Sequence, residues 1–355
     1  MVGESDWPKD NYGVQLITKT MNPISSNSND HPIDAVIAWV DGNDPHLIEK
    51  RQQYLTGSTS GNHPGAHPTR FASINEIKYC VLSIFKFAPF IRNIFIVTDG
   101  QDPDLYDDIK KYFPEKVNSI RIVDHTEIFE GYEKYLPTFN SISIAHMVWR
   151  IKGLSQNFVY FNDDTFLVKE LKPGDWFVND EPVMRGRWVP APGYRNLWNR
   201  ILIVVNKYLL GKAGYKPRAS FKLGQWNSAS LVGFKYRYFK GSHTPHAVSR
   251  KIVEDFFNKN EALIEKNISY RFRESGQFTF VALSNHLQLL AGNKKTSNPG
   301  LIYLQPYNRP KGYIEKKINR CENNPEIKFM CVQSLEMCSE GEQDKVFNWL
   351  EKILL

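Results

Sequence analysis

Between residues 33 and 164, short β-branched apolar runs alternate with segments of helical period. This alternation restricts the chain to an α/β fold with a mainly parallel sheet flanked by helices. The runs are Ile33–Val40 (IDAVIAWV), Asn93–Gly100 (NIFIVTDG), Ser119–His125 (SIRIVDH) and Asn157–Asp164 (NFVYFNDD). Their length and composition are those of buried strands. The spacing predicts helices over 46–55, from about 74 to Ala88, over Asp104–Tyr112, and over a segment carrying Ile144, Val148 and Ile151. In the second helix, Ser73 and Glu76 form the S-x-x-E pattern of a capping box. Ile77, Val81, Ile84 and Ala88 share one face, and Pro89 ends it. Asn140 or Ser141 caps the fourth, and Gly153 stops it.

Three of the four strands end in acidic turns. Asp41, Gly42 and Asp44 follow the first, Asp99 and Gly100 the second, and Asp163 and Asp164 the fourth. In open parallel sheets ligands bind beyond the carboxyl ends of the strands. Carboxylates delivered there repeatedly suit a metal-bound phosphate, and the Asp163–Asp164 pair suits Mg²⁺, or Mn²⁺ in its place. Each of these residues also suits a plain turn or a helix cap.

The second half is less regular. Helical patterns run over Leu197–Lys212, Val248–Asn258, Gln277–Leu289 and Asp344–Leu354. The first is apolar on most sides with basic ends, and reads as part of a helical insertion at about 190–217. Gly57–Thr69 (GSTSGNHPGAHPT) reads as a mobile surface loop and a candidate lid. Met1–Pro32 is polar and reads as a flexible lead-in, leaving 33–355 as a single domain.

Composition narrows the class. The chain has 355 residues, a formal net charge of +7 and 41% apolar residues, which excludes a wholly disordered or collagen-like chain. No run reaches the roughly 18–20 apolar residues of a membrane span, and the first residues lack the apolar core of a secretory leader. Cys80, Cys321, Cys331 and Cys338 match no disulfide framework or zinc spacing. A reducing cytoplasm is the expected home. Mild positive charge favours anionic partners, but no nucleic-acid-binding pattern is present.

Further candidates stand in the second half. His243 and His246 (SHTPH) are side chains able to exchange a proton near neutral pH. Arg271 and Arg273 (YRFRES) are a candidate anion clamp. Arg70, ahead of the capped helix, is placed to meet an anion near that helix.

Three long blocks resemble the Stealth family: Ile33–Pro45, Arg70–Leu105 and Leu136–Leu167, with a weaker fourth at Lys328–Glu336. The segments around His243 and Arg271 resemble the family's His- and Arg-containing segments. The family includes bacterial capsule polymerases that transfer sugar-1-phosphates. The resemblance implies a GT-A-like fold, a UDP-sugar donor and a polysaccharide acceptor. An acceptor hydroxyl attacks the β-phosphorus, UMP leaves, and the product is a phosphodiester. It further implies that Trp39, Asp41, Gly42 and Asp44 line the donor pocket. Arg70, Glu76, Asp99, Gly100 and Gln101 are implied near the diphosphate, with Asn140 on the donor sugar or phosphate. Asn162, Asp163 and Asp164 form the metal end. His243 or His246 is the implied acid/base, and Arg271 or Arg273 the neutralising cation, with gapless alignment favouring Arg271. Asp41 is also implied in catalysis. The fourth block ends in VQSLE where the family carries an Asn-Asp pair.

The expected activity is therefore hexose- or N-acetylhexosamine-1-phosphate transfer in capsule synthesis, in the cytoplasm or peripherally at the inner membrane. The rivals are a metal-dependent glycosyltransferase that releases UDP, and a non-catalytic glycan-binding subunit. The Leu197–Lys212 segment stays open between an acceptor groove and an amphipathic membrane contact.

Overall fold

The computed structural model describes residues 31–55, 74–209 and 220–355. Arg70, Ser73, the 57–69 loop and almost all of the expected lead-in lie outside the described residues. In chain order the first half holds β1 (Ile33–Ala38), α1 (Pro45–Leu55), α2 (Glu76–Phe87), β2 (Ile91–Thr98), α3 (Tyr106–Tyr112), β3 (Ile120–Asp124), α4 (His125–Ile128), α5 (Ser141–Ala145), β4 (Asn157–Asn162) and β5 (Thr165–Leu167). Then follow β6 (Phe177–Val178), β7 (Glu181–Pro182), β8 (Met184–Pro190), α6 (Gly193–Val204), α7 (Phe221–Leu231), β9 (Arg237–Gly241) and β10 (His246–Ser249). The chain closes with α8 (Arg250–Lys259), α9 (Glu261–Ile268), α10 (Phe280–Leu290), β11 (Thr296–Ser297), β12 (Leu301–Leu304), α11 (Tyr313–Asn323), β13 (Phe329–Val332) and α12 (Glu340–Leu354).

The main sheet has the order β10–β4–β1–β2–β3. β1 runs parallel to β2 and β4, β2 runs parallel to β3, and β10 pairs antiparallel with β4. The expected mainly parallel α/β sheet is borne out. Side chains of successive residues point to opposite faces of a strand. Accordingly Ile33, Ala35 and Ile37 of β1, with Val159 and Phe161 of β4, pack into one apolar layer with α2, α11 and α12. Val36, Phe158 and Tyr160 pack into the other with α8, α9 and α10. All four predicted strands are present, and β10 was not foreseen because HAVS is too short to show a period.

Two helices depart from expectation. The helix predicted through Ile151 breaks after Ala145 and resumes only as a single 3₁₀ turn at Val148–Arg150. Serine and β-branched isoleucine are weak helix formers, and the next residue, His146, is buried with its ring at the Ile142 carbonyl and 4.7 Å from Phe278. Of the capping box predicted at α2, Ser73 lies outside the described residues. Asn75, in left-handed backbone conformation, holds the N-cap position without a side-chain bond, while Glu76 Oε2 accepts from the Ile74 amide at 2.7 Å. The predicted helix over Leu197–Lys212 begins earlier, as α6, and passes into a π turn at Val205–Leu209.

At the amino end of the sheet sits a buried carboxylate. Asp34 is fully enclosed and receives Arg92 through Nε (2.9 Å) and Nη2 (2.6 Å), with the Ser155 amide at 2.8 Å. A carboxylate so enclosed is held only because its acceptor sites are filled. It joins β1, β2 and the approach to β4 at the end of the sheet away from the acidic turns.

Candidate functional site

After β1 the chain moves across to β2 and β3, then returns to the other side of β1 as β4. The carboxyl ends of β1 and β4 therefore flank the point where strand order reverses, which is where open α/β sheets bind ligands. An open cleft of about 610 Å³ lies at the ends of β1 and β2, lined by Trp39, Asp99, His125, Thr138, Ser141 and Arg273 among others. Three of these carry buried polar atoms with no partner: Trp39 Nε1, both His125 ring nitrogens and Thr138 Oγ1. Unpaired buried polar atoms are uncommon in folded proteins. These four atoms line one cleft, as polar ligand sites would, while others lie elsewhere in the described residues. Burial holds the His125 ring down to about 4, so it is neutral at pH 7 with one nitrogen donating and one accepting.

The turn after β1 is held by hydrogen bonds from its neighbour. Gln101 accepts from the Asp41 amide (2.9 Å) and donates to the Asp41 carbonyl (3.0 Å) and to Asp44 Oδ2 (2.8 Å). Asp41 Oδ1 in turn accepts from the Asn43 amide at 2.9 Å, closing the turn over Gly42. Asp44 Oδ1 accepts from the His46 amide at 2.9 Å, at the start of α1. The Gln101 bond and the His46 amide hold the Asp44 carboxyl below its usual range. Gln101 is thus a brace between two strand-end turns. Asp99 pairs with Lys50 at 2.7 Å. The Gly100 amide donates to Asp124 at 2.9 Å from a left-handed backbone (φ 68°) that favours glycine.

Asp163 and Asp164 lie in the tight turn between β4 and β5, beside Glu76 and near Glu336. Burial, then Asp164, then Glu76 push the Asp163 carboxyl well above its usual range. Burial pushes Asp164 up to about 6, against donated bonds from Thr165, Gln333 and Cys331. Glu76 and Glu336 are raised by burial as well. Among the described residues no cation pairs with Asp163 or Asp164. None of their His, Cys, Asp and Glu side chains form a group of three or more arranged to hold a metal. Two adjacent half-buried carboxylates without a described counter-ion fit Mg²⁺, which usually takes one or two protein carboxylates and completes its shell with water and substrate phosphates. Asn162, at the end of β4, is exposed beside them, with its carbonyl 3.8 Å from Cys80 Sγ.

The structure separates the paired candidates. Arg273 lines the cleft and donates to Ser141 Oγ. Both Arg273 and the Asp163–Asp164 pair act electrostatically on Tyr160, between them on β4. Arg271, which gapless alignment favoured, points elsewhere. Its Nη1 donates to the Pro137 carbonyl at 2.6 Å, and its guanidinium lies 4.3 Å from the Tyr54 ring centroid.

Asn140 is also corrected. It is fully buried, its amide donates to the Tyr270 carbonyl and Gln277 Oε1 (both 2.9 Å), and its oxygen caps α5 at the Ile142 amide. It shapes the cleft wall rather than meeting a ligand.

His246 belongs to β10, and burial pushes it down to about 3. His243 stacks on Phe221 at 4.4 Å and is lowered by burial and by Lys240. Its ring lies 5.8 Å from Tyr303, whose hydroxyl bonds to Gln333, which donates to Asp164. A neutral histidine is thereby linked to the carboxylate pair through two side chains. His125, Tyr303 and Gln333 were not foreseen. His125 closes a predicted strand, and a neutral ring in a cleft leaves no local pattern. Gln333 stands in the fourth block, Lys328–Glu336.

Residues 31–59 match Stealth protein CR1, conserved region 1, and residues 70–184 match Stealth protein CR2, conserved region 2. The two matches together span less than half of the chain. They contain every candidate from Trp39 to Asp164, whereas His243, His246, Arg271 and Arg273 lie beyond them. Receptor polysaccharide phosphotransferase WefC of Streptococcus oralis is 29% identical over 286 residues, 76% of this chain and 81% of that protein. Exopolysaccharide phosphotransferase SCO6021 of Streptomyces coelicolor is 37% identical over 188 residues, 53% of this chain but 32% of its own length. Among solved structures, galactosyltransferase LgtC in complex with donor and acceptor sugar analogs aligns over 90% of this chain and 95% of its own, at 10% identity and a TM-score of 0.42.

Proposed function

We propose that this Stealth chain transfers a hexose- or N-acetylhexosamine-1-phosphate from a UDP-sugar to a hydroxyl of a capsular polysaccharide. UMP is released and a phosphodiester forms. One observation carries the reading. A cleft lined by Arg273 and three unpaired buried polar side chains stands at the strand ends that also present two carboxylates no described cation pairs with, and Arg273 and both carboxylates act on the same Tyr160.

The uridine would lie over Trp39, against the neutral His125 ring and Thr138. Gln101 keeps the β1 turn closed beside it. Asp163 and Asp164 would hold Mg²⁺, which when bound neutralises diphosphate charge. Arg273, on the cleft lining, would meet the same diphosphate. The acceptor oxygen attacks the β-phosphorus, the bridging P–O bond breaks, and UMP departs with the bridging oxygen. The sugar keeps its own bond to phosphorus. The hydroxyl proton passes to His243, which its surroundings keep neutral. Phosphoryl-type transfer depends mainly on positioning and charge neutralisation, and a general base adds roughly 10²–10⁴-fold. Among the described residues no helix is long and apolar enough to cross a membrane. We place the protein in the cytoplasm, peripheral to the membrane where capsule is assembled.

The test is to incubate the protein with Mg²⁺, a panel of UDP-sugars and capsule oligosaccharides, and to identify the released nucleotide. UMP is expected. UDP would make the chain a glycosyltransferase and contradict the proposal. Metal-independent binding without turnover of any donor would favour a glycan-binding subunit.

A further inference from the structure

Residues 182–253 contain fourteen Lys and Arg and not one Asp or Glu. The whole chain has 45 and 38 respectively, so the remainder is net acidic. Its described residues form the β8–β9 ribbon, α6, α7 and β10. Among the described residues its one carboxylate ion pair is Lys251–Asp255, at the far end of the stretch. Arg187, Lys222, Lys235 and Arg237 are exposed.

The same region displays apolar surface. Trp198, Ile201 and Val204 recur three residues apart on α6, with 58%, 42% and 41% of their surfaces exposed. At 100° per residue they form a single stripe. No α6 side chain is buried among those described. The ribbon that launches α6 continues the surface. Trp188 is exposed on β8 with Arg237 4.7 Å from its ring, and Tyr236, 86% exposed, accepts from the Ala191 amide beside the start of α6.

We propose that this corner, α6 with the adjoining end of the β8–β9 ribbon, docks on an anionic lipid surface. An amphipathic helix with Trp and branched aliphatic residues on one face, set in basic surroundings, lies in the interface with its apolar side roughly 5–10 Å into the boundary. The missing carboxylates remove the repulsion that anionic headgroups would otherwise meet, and the cations supply the attraction. A soluble polyanionic acceptor would use the charge but not the apolar stripe. The proposal deepens the peripheral placement above by naming the surface and the lipid charge. It does not depend on the bond that is broken.

The test is flotation of the full chain with phosphatidylcholine vesicles containing either no phosphatidylglycerol or about a third of it. Binding is expected only to the anionic vesicles and should weaken with added salt. Trp198→Ser with Ile201→Ser should lower it at least tenfold. Lys235→Glu with Arg237→Glu should lower it by more than the roughly fivefold per basic residue that neutralisation alone gives. Neither double variant should change the melting temperature or transfer to a soluble acceptor. Failure to float with anionic vesicles would overturn the proposal. So would flotation unchanged by Trp198→Ser with Ile201→Ser. Retention on inorganic polyphosphate that depends on Lys235 and Arg237 but not on Trp198 would overturn it too, assigning the face to a polyanionic acceptor. Flotation as expected by a chain that transfers nothing would sink the enzymatic reading and leave this one standing.

Discussion

One sheet holds two carboxylate sites at opposite ends, built on opposite principles. At the amino end, Asp34 is enclosed and saturated by Arg92 and backbone amides. At the carboxyl end, Asp163 and Asp164 crowd each other and Glu76 with no described cation. The first arrangement stabilises the fold. The second costs stability, as the cation site proposed there would until a cation binds.

Substitution should separate the two ends most sharply. Asp163→Asn or Asp164→Asn is expected to cut transfer about 10²–10³-fold, the scale of losing one preorganised electrostatic stabiliser. Because it relieves repulsion, the melting temperature should not fall. Asp34→Ala should do the reverse. It leaves the Asn93 and Ser155 amides without their acceptor while half-exposed Arg92 turns to water, a cost of about 1–3 kcal/mol, while kcat of the folded fraction is unchanged. Denaturant melts beside initial rates on the three variants read both effects.

The arginines give the next largest contrast. Arg273→Ala should lower kcat/KM roughly 10²-fold by removing charge from the cleft. Arg271→Ala should act mainly on stability, by about 1–2 kcal/mol, through the Pro137 bond and the Tyr54 stack.

The acid-end pair also predicts a pH signature. Asp164 titrates near 6 in the folded chain, against about 3.9 unfolded. Between those values the folded state holds the extra proton, so stability from this group falls as pH rises. The stability advantage of Asp164→Asn should therefore grow from pH 4 to 6 and level off above. Added Mg²⁺ should raise the melting temperature at pH 7.5, by about 1.4 kcal/mol at ten times its Kd, and lose that effect as Asp164 protonates below about pH 6. Calorimetry across pH with and without Mg²⁺ checks this. The smallest expected effect is that of Gln101→Ala, about 1 kcal/mol of stability and a several-fold rise in donor KM as the β1 turn loosens.

The strands and their acidic ends were legible because period and turn chemistry are local. Ile33–Ala38 and Asn157–Asn162 show in a window of eight residues, and so do the carboxylates that follow them. What stayed hidden depends on distant partners. Asn140 sits in a recognisable segment, but only Tyr270 and Gln277, far along the chain, show that its amide is consumed internally. Gapless alignment favours Arg271 over Arg273, and only Pro137 and Ser141 beside them reverse that choice. His125, Tyr303 and Gln333 carry no motif, and their meaning comes from the cleft they share or the carboxylate they reach.

The most direct measurement follows phosphorus. UDP-sugars labelled with ³²P at the β-phosphorus would be incubated with the protein, Mg²⁺ and capsule oligosaccharide acceptors, and the polymer separated from free nucleotide. Label in the polymer, in a bond that survives phosphatase treatment, is the predicted result. Label left wholly in released UDP, with unlabelled sugar in the polymer, would contradict sugar-1-phosphate transfer.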